Sequence, residues 1–261
     1  MSRFGHTRQS IFILPSIFTV TTTRPYSRVA LPLARIVQPA DEADVSKCVW
    51  TIASAFDRVP CTNAFSAESG QTVLNYVNKT IRSSISRNGV LIEAADTSAV
   101  ALWELPNLHR VAEGPGSTSS GGLHNRTDSD QHIKNEWKQV VQLAKMKYIG
   151  TERNSETDDI TILPHYHLDF LARNPSVPKI PGAISAVVLP YLAKAKQDRL
   201  SVWLEATSLD VVTLYKHFGF RVLEEITIGV GRVDGQGKLQ NEGEGFKAWL
   251  MWVDNDGSLK L

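Results

Sequence analysis

Cysteine is nearly absent from this chain: Cys48 and Cys61 are the two in 261 residues. Two thiols cannot staple a small secreted scaffold, so the chain must hold itself together with an apolar core. Long hydrophobic runs are also missing. None reaches the ~18 residues that a membrane span needs, so no membrane partner is expected. Charge of one sign is not in excess, the formal net charge being +1, which removes the broad electrostatic case for nucleic acid. The seven histidines are scattered, and His165 with His167 is too short a set to hold a metal, so none is expected. The stretch 114–122 is rich in glycine and serine. It contains no lysine and no buried strand runs into it, which excludes a phosphate loop.

Acidic residues are absent from the first forty positions, where Arg3, Arg8, Arg24, Arg28 and Arg35 stand among many Ser and Thr. That composition is the one a mitochondrial transit peptide has, but prolines at 15, 25 and 32 interrupt a long amphipathic helix. The expected location is cytoplasmic, with mitochondrial as the alternative. The expected organisation is a disordered or targeting leader over 1–32 and one domain over 33–253. A flexible insertion at 107–132 interrupts that domain, and a polar tail covers 254–261.

Hydrophobic periodicity divides the domain into elements. Residues 34–38 alternate as a strand, and Asp41 stands as the cap of a helix whose Val45, Cys48, Val49, Ile52 and Phe56 share one face. Residues 60–65 read as a loop, and 68–87 as a second helix. The strands 89–94 and 99–104 flank a turn at 95–98. Beyond the insertion, 133–147 has helical spacing and 151–159 reads as a polar loop. Residues 166–172 alternate and then run apolar, as a central strand does. A loop leads to a helix from Ile184, where Pro190 is expected to introduce a kink. Residues 201–207 form a buried strand, Ser208 a cap, and Leu209, Val212 and Tyr215 a short helix that stops at Gly219. The last two strands cover 221–228 and 246–253, joined by a polar, Gly-rich hairpin connection.

The string Leu204-Glu205-Ala206-Thr207, followed by Tyr215 and then His217-Phe218-Gly219-Phe220, resembles the GNAT-type acetyl-CoA-dependent N-acetyltransferases, and within them the fungal and puromycin-acetyltransferase-like branch. The Asp44-Val45 pair and the Val100-Ala101-Leu102-Trp103 strand resemble the same family's first half. The resemblance implies an α/β (α+β) acyl-CoA N-acyltransferase fold. Its mixed, mostly antiparallel sheet is splayed between the family's fourth and fifth strands, with helices on both faces. It implies acetyl transfer from acetyl-CoA, as co-substrate, to the amine of a small molecule, by a monomer or homodimer.

Site residues follow from the same resemblance. Main-chain groups of Phe170, Leu171 and Ala172 would hold the acetyl and pantetheine parts. Lys179, Ile180, Gly182, Ala183 and Ile184 match the family's pyrophosphate loop, and Ser208, which opens the helix that carries Tyr215, is expected to bind the cofactor together with that tyrosine. Tyr215 matches the general acid that protonates the departing thiolate, and Glu205 is the candidate acid or base beside it. Glu104, His167 and Asp169 are further candidates for the base. Phe56, Phe65 and Trp103 are expected on the acceptor side. The loop departs from the family pattern at Pro181, which lacks an N–H, and at Ile184, which is branched. The alternative that these departures raise is an acetyltransferase-like binding module without catalysis.

Overall fold

The structure is a computed structural model and describes residues 17–18, 30–106, 132–153 and 160–255. A two-residue strand, β1 (Ile17–Phe18), lies against β2 (Ala34–Ile36). Three helices follow: α1 (Glu42–Phe56), α2 (Pro60–Glu68) and α3 (Val73–Ile85). The hairpin β3 (Gly89–Ala94) and β4 (Ala99–Glu104) precedes α4 (His132–Tyr148). Short strands β5 (Thr151–Arg153) and β6 (Ile160–Ile162) pair with each other in a separate two-stranded sheet. The second half runs β7 (Tyr166–Arg173), α5 (Ala183–Asp198), β8 (Val202–Ala206), α6 (Leu209–His217), β9 (Arg221–Ile228) and β10 (Phe246–Val253).

The main sheet has the order β1-β2-β3-β4-β7-β8-β10-β9. Every neighbouring pair is antiparallel except β7 and β8, which are parallel. The parallel pair is brief: it joins Tyr166 to Val202 and His167 to Trp203 and goes no further. β7 continues to Arg173 and β8 to Ala206, so the two strands part as they run. The sheet therefore divides into β1–β4 with β7 on one side and β8, β10 and β9 on the other.

Each face of the sheet carries its own helices. One core packs α5 and α6 against β2, β3, β4, β7 and β8, with Trp103, Tyr191, Leu204 and Phe220 inside it. On the opposite face α1 and α3 cover β3, β4 and β7 through Ile52, Ile81, Leu102 and Phe170. Beside them α2 and α4 cover β8, β9 and β10 through Phe65, Ile133, Trp203 and Phe246. A bulge in β7 lets one strand serve both faces. Leu102 pairs with Phe170 and Trp103 with Leu168, so Asp169 has no opposite number. Before the bulge Tyr166 and Leu168 face α5; after it Phe170 and Ala172 face α1.

Several boundaries differ from the sequence reading. Residues 60–65 belong to a helix, α2, because Pro60 at its first position fixes a helical φ and gives up an N–H that the first turn leaves unpaired anyway. Gly70, at φ +63°, separates α2 from α3, so the helix expected over 68–87 is α3 and starts only at Val73. Glu68 caps a different helix: its carboxylate accepts from the amides of Ile133 at 2.7 Å and Lys134 at 3.2 Å, at the start of α4. Residues 151–153 are a strand. α5 runs unbroken through Pro190. The insertion core at 107–131, most of the leader and the end of the tail lie outside the described residues.

Candidate active site

A cavity of about 860 Å³ opens where β7 and β8 part. Its walls come from α2, α3 and α4 on one face of the sheet, and it passes between the strands to Thr207, Val211 and Tyr215 on the other. The divergence of β7 and β8 explains it. A parallel pair that continued in register would close the gap with ladder hydrogen bonds. Here the β8-facing edge of β7 beyond His167 has no strand partner among the described residues.

Four ionisable side chains converge at the fork. His167 lies between two carboxylates: Nδ1 is 3.3 Å from Glu104 Oε2 and Nε2 is 2.9 Å from Glu205 Oε2. The other oxygen of Glu205 accepts from Trp203 Nε1 at 2.6 Å. Burial and the Lys145 charge work against a protonated His167, but Glu205 and Glu104 outweigh them and raise its pKa to about 9. The same pairing holds Glu205 at about 2, against its own burial, and Glu104 at about 2, where the hydrogen bond to His167 is the leading cause. The clamp is thus an imidazolium between two carboxylates at neutral pH, spanning β4, β7 and β8.

Asp169, the bulged residue, faces the same cavity without a hydrogen-bond partner among the described residues. Burial raises its pKa to about 6, helped by Glu104 and Glu205 and opposed by His167 and Lys145. Tyr215 is buried and lines the far end. Burial, with Glu205 nearby, drives its phenol further above the ordinary tyrosine value, so it keeps its proton. His165 also lines the wall. Its Nδ1 lies 2.9 Å from the Leu163 carbonyl, which can only accept, so Nδ1 carries the proton. Burial lowers its pKa to about 3.

The expected residues do not all reach the cavity. Phe56, Phe65, Phe170, Leu171, Ala172, Glu205 and Tyr215 all line the cavity. Trp103 does not, which corrects the expectation for it. Its indole is fully buried on the α5 face, stacked on Tyr191 at 5.1 Å, with Nε1 donating to the Val187 carbonyl. Alternation along β4 turns it away from the face that α1 and α3 cover. The loop residues Lys179, Ile180, Gly182, Ala183 and Ile184 lie outside the cavity walls. Lys179 and Ile180 are exposed, and Ile184 packs against the α5 core. Gly182 has φ +81° and opens α5 without a side-chain cap; a Cβ there would press on Leu31 and Pro32. Ser208 is the cap of α6, its Oγ accepting from Val211 N at 3.3 Å.

The pairing of Glu104 with His167 is not legible from sequence, because it depends on β4 and β7 being neighbours. The raised carboxyl of Asp169 depends on the bulge. The lysines of α4 belong to the wall as well. Lys134, Lys138 and Lys145 all reach it, and their i, i+4 and i+11 spacing on one helix face is a signal that the sequence carries.

No protein-family model matches the chain. A putative increased recombination centers protein 11 of Saccharomyces cerevisiae is 32% identical over 94 residues, which cover 36% of this chain and 60% of that protein. An uncharacterised protein of the same yeast is 25% identical over 173 residues, 66% of this chain and 64% of that one. The chain thus spans less than two thirds of the length of either curated relative. Among solved structures, a putative arylalkylamine N-acetyltransferase from the yellow fever mosquito superposes with a TM-score of 0.51 at 13% identity, covering 86% of this chain and 89% of that one. A Drosophila melanogaster polyamine N-acetyltransferase, which forms N-acetylagmatine, gives 0.50 at 9% identity, with 85% and 98% covered. The fold is that of the GNAT-type N-acetyltransferases. The splayed parallel pair, the mostly antiparallel sheet and the helices on both faces are the features that the sequence resemblance implied. Among the described residues no cluster could hold a metal ion and no helix is long and apolar enough to cross a membrane.

Proposed function

We propose that the protein transfers an acetyl group from acetyl-CoA to the amine of a small molecule. The observation that carries this reading is the cavity through the fork of β7 and β8, with a proton acceptor, Asp169, on the strand at the fork and a proton donor, Tyr215, on the helix beyond it. The fork suits a pantetheine arm, since the free edge of β7 offers main-chain groups at Phe170, Leu171 and Ala172. The start of α5 has no side-chain cap, and although the Ala183 amide donates to the Ile180 carbonyl, the amides that follow it suit a pyrophosphate. When bound, acetyl-CoA supplies the activated thioester.

The chain's own residues do the rest. Asp169 takes a proton from the incoming ammonium, leaving a neutral amine that attacks the thioester carbonyl. As the new C–N bond forms and the C–S bond breaks, Tyr215 gives its phenolic proton to the departing sulfur. The proton left on the acylated nitrogen restores the phenol. A carboxyl near 6 is ionised at neutral pH yet basic enough to accept a proton, which is what a general base requires. Glu205, near 2 and occupied on both oxygens, is a poor base; we assign it the positioning of His167. The Leu204-to-Phe220 string favours the fungal, puromycin-acetyltransferase-like branch.

Titration of the full chain with acetyl-CoA, followed by thermal denaturation, tests the reading. A ligand that binds the folded state raises its melting temperature, and thiol release on adding amines then reports turnover. No thermal shift at saturating acetyl-CoA would sink the proposal and leave the binding-module alternative.

A further inference from the structure

We propose that the acceptor is an amine bearing an anionic group, a carboxylate or a phosphate, a few bonds from its nitrogen, and that Lys79, Lys134 and Lys138 receive that group. This rests on the acyl-transfer reading and specifies its substrate class. Lys79 on α3 and Lys134 and Lys138 on α4 line the same wall. None has an ion-pair partner among the described residues, and no further interaction of theirs goes unaccounted for. Lys134 is half-buried over the Tyr76 ring, its Nζ 4.8 Å from the centroid. Its pKa is lowered by burial and then by the charges of Lys138 and Lys79, so the three share one region. Glu68, whose charge also reaches Lys134, already accepts from the Ile133 and Lys134 amides. Uncompensated cations gathered in a concave wall attract an anion.

The fork is different. There Glu104, Glu205 and Asp169 stand against His167, Lys145 and Arg87, so the two signs balance, and Asp169 is felt by Lys134. Carboxylates that can receive an ammonium are therefore at the fork, and the α3–α4 wall has cations without ion-pair partners among the described residues. A molecule with an ammonium at one end and an anion at the other matches that arrangement. A diamine has a positive charge at each end and meets repulsion from the lysines. The lysines are on the α4 face of the sheet, whereas α5, where the pyrophosphate would bind, covers the other. Their charge is thus not explained by coenzyme binding.

The test compares four probes on the full chain: γ-aminobutyrate, phosphoethanolamine, butylamine and putrescine. Binding is read by thermal shift without acetyl-CoA, and kcat/KM is read by thiol release with it. Expected is a preference of about tenfold or more for one of the two anionic amines, falling as salt is raised. The arm that wins distinguishes carboxylate from phosphate. In Lys134→Gln and in the exposed-site variant Lys138→Gln that preference shrinks several-fold while acetyl-CoA affinity stays unchanged. Equal or tighter binding of butylamine or putrescine overturns the proposal, as does a preference indifferent to both variants. Absence of an acetyl-CoA shift sinks the transferase reading instead, and the binding arm still decides the anion preference.

Discussion

Replacing Asp169 by asparagine should make the protein more stable above neutral pH while removing most of its turnover. Asp169 has its pKa raised from the ordinary 3.8 to about 6 by burial. A carboxyl whose folded pKa is raised contributes stability that is present below pH 3.8 and is lost as pH rises through 6. Above that, keeping it ionised in the cavity costs free energy. Each pKa unit corresponds to about 1.4 kcal/mol, so the rise of roughly two units sets a ceiling of about 3 kcal/mol. Water entering the cavity screens part of this, and about 1–2 kcal/mol should survive. Asparagine fits the same volume and has no charge to desolvate. Urea denaturation of both proteins at pH 4 and pH 8 measures the difference directly. The expected result is near-equal stability at pH 4 and, at pH 8, an Asp169→Asn protein more stable than the parent by about 1–2 kcal/mol. A variant less stable at pH 8 than the parent would refute the reasoning, because the ionised carboxylate would then be a stabilising partner rather than a burdened one.

Further expectations concern the same site and its supports. Tyr215→Phe should lower kcat by about a hundredfold with little change in acetyl-CoA affinity, checked by steady-state kinetics and equilibrium binding. In the parent protein kcat/KM should rise with pH through about 6 as Asp169 ionises, and Asp169→Asn should flatten that limb. Glu205→Gln should destabilise by about 3 kcal/mol at pH 6, since His167 loses the partner that holds it protonated. His167 has a raised pKa, so its stabilisation is full below 6.5 and fades as pH passes about 9; the penalty of the variant should shrink over that window, as denaturation at pH 6 and pH 9.5 will show. Gly237→Ala should lower the melting temperature by several degrees, because φ is +75° there and a Cβ would strike the Pro60 carbonyl at the start of α2.

The elements with strong periodicity are legible in the chain itself. α1, with Val45, Cys48, Val49 and Ile52 on one face, and β8, with its apolar run, match their residues closely. α2 escapes such a reading because its apolar stripe is weak and its start rests on a proline, a residue that also begins loops. Tyr215 and the segment 170–172 stand out through family resemblance, and the cavity does reach them. Trp103 misleads because a strand's two faces look alike until the sheet's neighbours are known. The His167 clamp joins residues 63 and 38 positions apart, and no local pattern announces such a pairing. The raised carboxyl of Asp169 needs the bulge, which is a property of register between β4 and β7 rather than of either sequence.

Among the described residues, only Tyr166 with Val202 and His167 with Trp203 pair the two halves of the sheet. Beyond that junction no ladder hydrogen bond crosses the gap, and what ties the halves together is the core under α5 and α6, which takes in Leu168 from one half and Leu204 and Met251 from the other. A long, thin molecule can therefore lie between the strands without displacing a backbone partner, beside the ionic bridge of Glu104, His167 and Glu205 at the junction.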